Sequence, residues 1–151
     1  MKHSKLGKST IESSRFIYGC MRIAGDYSTS DRSKGKRAIM TALDAGYNHF
    51  DHADIYGGGA SESIFGELLA EQPHLREQMI ITSKAGIRPK NNDDSYAPTR
   101  YDFNQKYLLA SVEGSLKRLN TDHLDLFLLH RPDYLFDANE VAETFALLKA
   151  S

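Results

Sequence analysis

Asn48-His49-Phe50-Asp51-His52-Ala53-Asp54-Ile55-Tyr56-Gly57 carries a short apolar-centred run into glycines and leaves a carboxylate and a phenol five residues apart at its end. A brief run of this kind, followed by an amphipathic segment, reads as a buried strand feeding a helix. The same grammar recurs downstream, where Met79-Ile80-Ile81-Thr82-Ser83 leads into Lys84 and Leu124-Asp125-Leu126-Phe127-Leu128-Leu129 leads into His130. The pattern predicts strands over Phe16 to Ile23, Asn48 to Phe50, Met79 to Ser83 and Leu124 to Leu129. Asp51, Tyr56, Lys84 and His130 are thereby placed at the C-terminal ends of three buried strands.

Between the runs lie segments of helical period. Ala38, Ile39, Ala42 and Leu43 share a face before Gly46, and Ile64, Phe65, Leu68 and Leu69 do so before Pro73. Asn104 is placed to cap a third helix with the stripe Leu108, Val112, Leu116 and Leu119. Asp137, with Glu140 three positions on, opens a fourth that buries Val141, Phe145 and Leu148. The order βαβαβαβα predicts an α/β fold with a parallel sheet and right-handed crossovers. One connection, Ile87 to Phe103, is longer than most loops in compact domains and leaves the sheet beside Lys84, which makes it a candidate lid, with Tyr96 and Tyr101 lining the mouth or packing the loop down.

Bulk properties narrow the function. The chain has 151 residues, 40% of them hydrophobic, which suits one domain over 1–151 with a buried core. Nineteen basic and twenty acidic residues give a net charge of −1, so no global field attracts nucleic acid or an anionic membrane, and a small molecule is the expected partner. The single Cys20 forms no internal disulfide and is read as a buried thiol within the first strand. No apolar run reaches the roughly 20 residues that span a bilayer, and the polar, basic opening from Met1 to Ser14 has no secretory h-region, so a cytoplasmic protein is expected.

In parallel α/β sheets ligands bind outside the carboxyl ends of the strands, where Asp51, Lys84 and His130 fall. An ammonium beside a phenol favours the phenolate, which suits Tyr56 to general acid or base work. His130 can donate to a carbonyl oxygen and stabilise charge developing there. None of the four supplies an electron pair, so a reduction at this site requires a bound hydride source such as a nicotinamide. Gly57-Gly58-Gly59 lacks the spacing and the following Lys-Ser or Lys-Thr of a phosphate-binding loop and reads as a flexible turn.

These residues resemble the aldo-keto reductases, in particular a bacterial branch of oxidoreductases with the pattern Asp-His-Ala-Asp-Ile-Tyr-Gly-Gly. Lys5-Leu6-Gly7-Lys8-Ser9 and Ser14-Arg15-Phe16-Ile17-Tyr18-Gly19-Cys20-Met21-Arg22 look like that family's N-terminal hairpin and first strand. Ala45-Gly46-Tyr47-Asn48-His49-Phe50-Asp51 is similar to the lead into its second, and Ile81-Thr82-Ser83-Lys84 to the end of its third. Leu119-Asn120-Thr121-Asp122-His123-Leu124-Asp125-Leu126, with Leu129-His130-Arg131-Pro132-Asp133, resembles its fourth. The resemblance implies a catalytic tetrad of Asp51, Tyr56, Lys84 and His130, with Tyr56 as proton donor, Lys84 and Asp51 as the pair that tunes it, and His130 orienting the substrate carbonyl. It implies that Gly19, Met21 and Asp51 lie near a nicotinamide and its ribose. The implied reaction is reduction of an aldehyde or ketone to an alcohol by NADPH, with NADH as the alternative donor.

Members of that family fold as TIM barrels of eight βα units, for which about 250 residues are usual. The expected architecture is therefore the N-terminal (βα)4 half of such a barrel with a short N-terminal hairpin. Four strands leave the first and last with unpaired edges, so the expectation is a truncated chain or two copies associating through those edges. Two other functions compete. His49, Asp51, His52, Asp54 and His130 could ligate a divalent metal in a barrel hydrolase, although strand alternation keeps few of them together. A non-catalytic nicotinamide-binding regulatory subunit is the other.

Overall fold

The computed structural model describes residues 1–25, 32–90 and 97–151. An antiparallel hairpin comes first, β1 (His3–Lys5) against β2 (Glu12–Ser14), with His3 opposite Ser14 and Lys5 opposite Glu12. β3 (Tyr18–Gly19) begins the main sheet. α1 (Arg32–Asp44) follows, ending where Gly46 takes φ +89° and its N–H donates to the Leu43 carbonyl while Tyr47 N–H donates to Ala42. That left-handed residue satisfies carbonyls that the last turn would leave free, as its position in the sequence predicts. β4 (His49–Asp51), α2 (Ala60–Glu71) and β5 (Ile80–Ala85) continue the alternation.

The connection after β5 differs from a plain loop. Its base is a two-stranded antiparallel ribbon, β6 (Ile87–Arg88) with β7 (Arg100–Tyr101), pairing Ile87 with Tyr101 and Arg88 with Arg100. Tyr101 packs beside Phe103 with ring centroids 6.1 Å apart, whereas Tyr96 lies outside the described residues. α3 (Gln105–Leu119) is capped by Asn104, whose side-chain oxygen accepts from Tyr107 N–H. β8 (Leu126–Leu129) and α4 (Ala138–Ala150) complete the chain, the latter capped by Asp137, which accepts from Asn139 and Glu140 N–H.

β3, β4, β5 and β8 form one wholly parallel sheet whose spatial order is their chain order. Strand alternation gives this sheet two characters. Phe50 of β4 and Ile81 of β5 face the helices and are fully buried with Ile39, Phe65, Leu68 and Leu119. His49, Asp51, Thr82 and Lys84 occupy the alternate positions and face the other way. At the N-terminal end of β4 the hairpin is fastened on: His49 hydrogen-bonds with Ser13 Oγ at 2.9 Å and Thr82 Oγ1 at 2.7 Å, and Ser14 N–H donates to Asn48 Oδ1.

Two expectations need correction. The first strand is only two residues long; from Cys20 the chain turns through a 3₁₀ segment, Cys20–Arg22, because its partner β4 ends opposite Gly19 and Ser61 Oγ captures the Cys20 carbonyl at 2.6 Å. Cys20 is buried as expected, but in a turn rather than a strand. In α4 only Thr144 is fully buried, and Val141, Phe145 and Leu148 are half-buried, because the helix rests on α3 and β8 with nothing described beyond them. β3 and β8 are edges among the described residues, and Leu128 on β8 is 45% exposed.

α2 approaches the C-terminal turn of α3 closely at Gly66, where a Cβ would lie 2.0 Å from the Arg118 carbonyl oxygen and 2.7 Å from the Leu119 carbonyl carbon. Both neighbours are backbone, so the helices would have to separate. Gly66→Ala is expected to destabilise the fold by about 3 kcal/mol, the upper end of typical overpacking costs, read as a lowered urea midpoint at unchanged slope.

Candidate functional site

The backbone of β4 remains tied to β5 after the strand proper ends, through His52 N–H to the Thr82 carbonyl at 2.8 Å and Asp54 N–H to Lys84 at 3.0 Å. Beyond Ile55 the chain folds into a 3₁₀ turn, Tyr56–Gly59, in which Gly57, Gly58 and Gly59 have φ of 61°, 62° and 92°. Three consecutive left-handed residues suit only glycine, which is the local reason for this triplet. The turn swings Tyr56 back over the strand ends.

There the structure brings together the four polar residues singled out by the sequence. Lys84 Nζ donates to Asp51 Oδ2 and to the His52 carbonyl, each at 2.6 Å. It also lies 5.1 Å from the centroid of the Tyr56 ring, within cation–π range. The Tyr56 ring stands edge-on to His130 at 5.9 Å and 84°. His130 follows β8 directly, held by its N–H to the Ala85 carbonyl at 2.7 Å. Burial, then the charges of Lys84 and Arg131, lower the imidazole below its ordinary range against the opposing charge of Asp51. The ring is thus neutral at pH 7, with one N–H to donate. Its Nδ1 is buried without a hydrogen-bond partner.

Gly19 pairs with Asp51 in the β3–β4 register, so Gly19 and the exposed Met21 just after it lie on the same rim. A Cβ at Gly19 would touch nothing within 4 Å, which leaves open space above that strand end. Cys20 between them faces inward, and burial followed by the charge of Asp51 pushes its thiol well above the usual range, the unreactive direction.

The five residues considered as metal ligands are not gathered. His49 is engaged at the opposite end of β4, and His52 points into the core, its ring edge-on to Phe65 at 4.6 Å. Among the described residues no group of three or more His, Cys, Asp or Glu side chains is arranged to hold a metal ion.

A second polar cluster, which the sequence reading missed, lies behind the site. Glu62 in the first turn of α2 has a fully buried side chain; its Oε1 accepts from Ser83 Oγ at 2.6 Å and its Oε2 from Arg118 Nε at 2.7 Å. Asp54 sits beside them, its carboxyl pushed up to about 6 by burial and by the charge of Glu62, with Arg118 and Ser111 opposing. The available signal was Glu62 itself, a charge on the same helical stripe as Phe65 and Leu69.

Residues 15–151 match the model of the Aldo/keto reductase family. The chain belongs to that family. It is 45% identical over 140 residues to Oxidoreductase YdhF of Escherichia coli K12, covering 93% of this chain and 46% of that protein. It is 40% identical over 142 residues to the 6-dehydroglucose reductase of Agrobacterium fabrum C58, covering 93% and 48%. The solved holo form of the aldo-keto reductase AKR11C1 from Bacillus halodurans superposes with a TM-score of 0.85 at 31% identity, over 99% of this chain and 47% of that one. This aldo/keto reductase chain thus spans about half the length of the relatives it matches, and its parallel sheet with the N-terminal hairpin corresponds to half of their barrel.

His52 gives the fold an acid response. Both its nitrogens are buried without partners, and burial followed by the charge of Lys84 lowers it from 6.5 to about 3. As pH falls from 6.5 toward 3 the unfolded chain takes up a proton that the folded chain refuses, so stability is lost across that window. Asp54 acts in the opposite sense, since its folded carboxyl binds a proton between 6 and 3.8 while the unfolded one does not. His52→Leu is expected to be neutral or stabilising at pH 7 and to lose less stability than the parent between pH 6.5 and 4, measured by urea unfolding at each pH. Parallel pH profiles for the two proteins would refute this account.

Proposed function

We propose that the chain carries the reaction centre of an NAD(P)H-dependent oxidoreductase that reduces aldehydes or ketones to alcohols, with Asp51, Tyr56, Lys84 and His130 as its catalytic residues. The observation that carries this reading is the convergence of a phenol, an ammonium and a neutral imidazole on one rim of a parallel sheet. The open strand end at Gly19, with Met21 and Asp51 beside it, fits a nicotinamide and its ribose next to those groups. Bound there, NADPH, or NADH in its place, supplies the hydride that the side chains cannot.

Each side chain then has a defined task. His130, held neutral, donates a hydrogen bond to the substrate carbonyl oxygen and fixes its orientation. Tyr56 gives its phenolic proton to that oxygen as negative charge builds on it. Lys84, beside the ring, stabilises the charge left on the phenol. Asp51 and the His52 carbonyl hold the ammonium in place, at the 2.6 Å distances of charge-assisted hydrogen bonds. Running backwards, the same groups accept the proton from an alcohol.

The substrate is a small carbonyl compound, and the name of the Agrobacterium fabrum relative makes keto sugars one class to test. Nucleic acid is not an expected partner at a net charge of −1. Among the described residues no helix is long and apolar enough to cross a membrane, and the proposed location is the cytoplasm. The chain supplies half of the barrel of its longer relatives, with the other half provided by further βα units or by a second copy meeting the exposed edges of β3 and β8.

The test is NADPH consumption at 340 nm with a panel of aldehydes, ketones and keto sugars, comparing the parent with Tyr56→Phe and Lys84→Met. Loss of a positioned proton donor should lower kcat by about 10²-fold or more, with NADPH binding, followed by nicotinamide fluorescence, retained. Equal rates in parent and Tyr56→Phe would remove the phenol from the mechanism.

A further inference from the structure

We propose that Arg118, held by Glu62, is a positioning residue that sets the place of the Tyr56 turn relative to Lys84. This inference concerns geometry and rests on the reading above only in giving Tyr56 a catalytic task.

The argument begins with β5. Lys84 faces the site, and the preceding Ser83 must therefore face the helices. Ser83 is fully buried, and its hydroxyl donates to Glu62 Oε1 at 2.6 Å. The other carboxylate oxygen receives Arg118 Nε from α3 at 2.7 Å, and Arg118 reaches Ser115 Oγ with its terminal nitrogen at 3.3 Å. From this anchorage the arginine stem runs directly beneath the turn, since a Cβ at Gly59 would meet Arg118 Cδ at 2.9 Å and Nε at 3.1 Å. The chain of contact thus runs from the strand that bears Lys84, through a buried ion pair, to the turn that bears Tyr56.

The turn has local ties, Gly58 N–H to the Ile55 carbonyl and Ser63 Oγ to the Gly59 carbonyl at 3.0 Å each, and Arg118 is what joins it to the buried ion pair behind β5. Its three glycines contribute no side chains, and a cavity of about 390 Å³ lies beside it, lined by Gly58, Asp54, Ser111 and Arg118 itself. Without the arginine, a backbone made flexible by three glycines has a void to relax into. A buried carboxylate is a costly anchor unless paired. Here the pairing fixes the direction of Arg118, whose planar fork loses less freedom on binding than a lysine would.

The test compares the parent with Arg118→Ala, Arg118→Lys and Glu62→Gln, each as the whole chain. The first readout is NMR: cross-relaxation between the Tyr56 and His130 rings, and hydrogen exchange of the Gly57 to Gly59 amides. Arg118→Ala and Glu62→Gln should each weaken the ring-to-ring signal several-fold and speed exchange in the turn about tenfold, with Arg118→Lys intermediate. Leu75→Ala, a core truncation before β5, serves as a control that lowers global stability and leaves both signals unchanged. The second readout is the reductase assay, where a displaced donor should lower kcat by roughly 10²-fold with KM little altered. Parent-like ring contact and exchange in both Arg118→Ala and Glu62→Gln would overturn the proposal. If Arg118→Ala does not fold, Glu62→Gln, which keeps the Ser83 hydrogen bond, decides alone. A parent without reductase activity would count against the proposed function and leave the NMR result to judge the positioning.

Discussion

The pairing of Lys84 with Asp51 is the interaction on which the rest of the site depends. An ammonium this shielded from water is costly unless a carboxylate and a hydrogen-bond acceptor meet it, and Asp51 and the His52 carbonyl do so at 2.6 Å each. The pair follows from sheet register. Asp51 lies opposite Thr82, so Lys84, two residues on and on the same face, reaches back across the strand end. A slip of one residue would turn Lys84 toward the helices and bury its charge in the core. The cation also sets the local electrostatics: it helps keep both His52 and His130 neutral, and it lies against the ring of Tyr56.

Alternation along β5 makes one strand serve two purposes. Its forward face presents Lys84 to the rim, and its rear face presents Ser83 to a buried carboxylate. The ion pair of Glu62 and Arg118 and the pair of Lys84 and Asp51 therefore lie on opposite sides of the same backbone, two layers that hold the same turn. Within its own segment Tyr56 is held by its N–H to the Ala53 carbonyl and by Gly58 N–H to Ile55, and is followed by three left-handed glycines that allow the bend without adding side chains to stiffen it. Its rigidity has to come from its neighbours, and Arg118 is the side chain that lies beneath Gly59.

Much of this was legible in the sequence because it rests on local pattern. Short apolar runs ending in Asp51, Lys84 and His130 located the strand ends, and the caps at Asn104 and Asp137 and the stop at Gly46 read correctly because each acts within a few residues of itself. The first strand was read too long because an apolar run does not reveal where its partner strand ends. The ribbon at the base of the Ile87 to Phe103 connection was missed because its strands are two residues each and lie among turn-forming residues. Glu62 with Arg118 was missed for a deeper reason: the partners are separated by 56 residues, and either alone reads as a solvated charge.

The placement of the four polar groups explains how half the length of a relative can bring them together at one rim. They come from β4 and β5, the residue just after β8 and the turn after β4, and these strands are adjacent in the one parallel sheet. The contacts of Lys84 with Asp51 and of Tyr56 with His130 are made by these segments alone, without a closed barrel. What four strands leave undone is of another kind. Leu128 on the β8 edge and Phe16 and Ile17 ahead of β3 remain exposed, and α4 presents only Thr144 as a fully buried residue. Gathering of the four polar groups and covering of the sheet are thus separate problems in this fold: the register of adjacent strands brings the polar groups together, while the apolar edge residues are left exposed among the described residues.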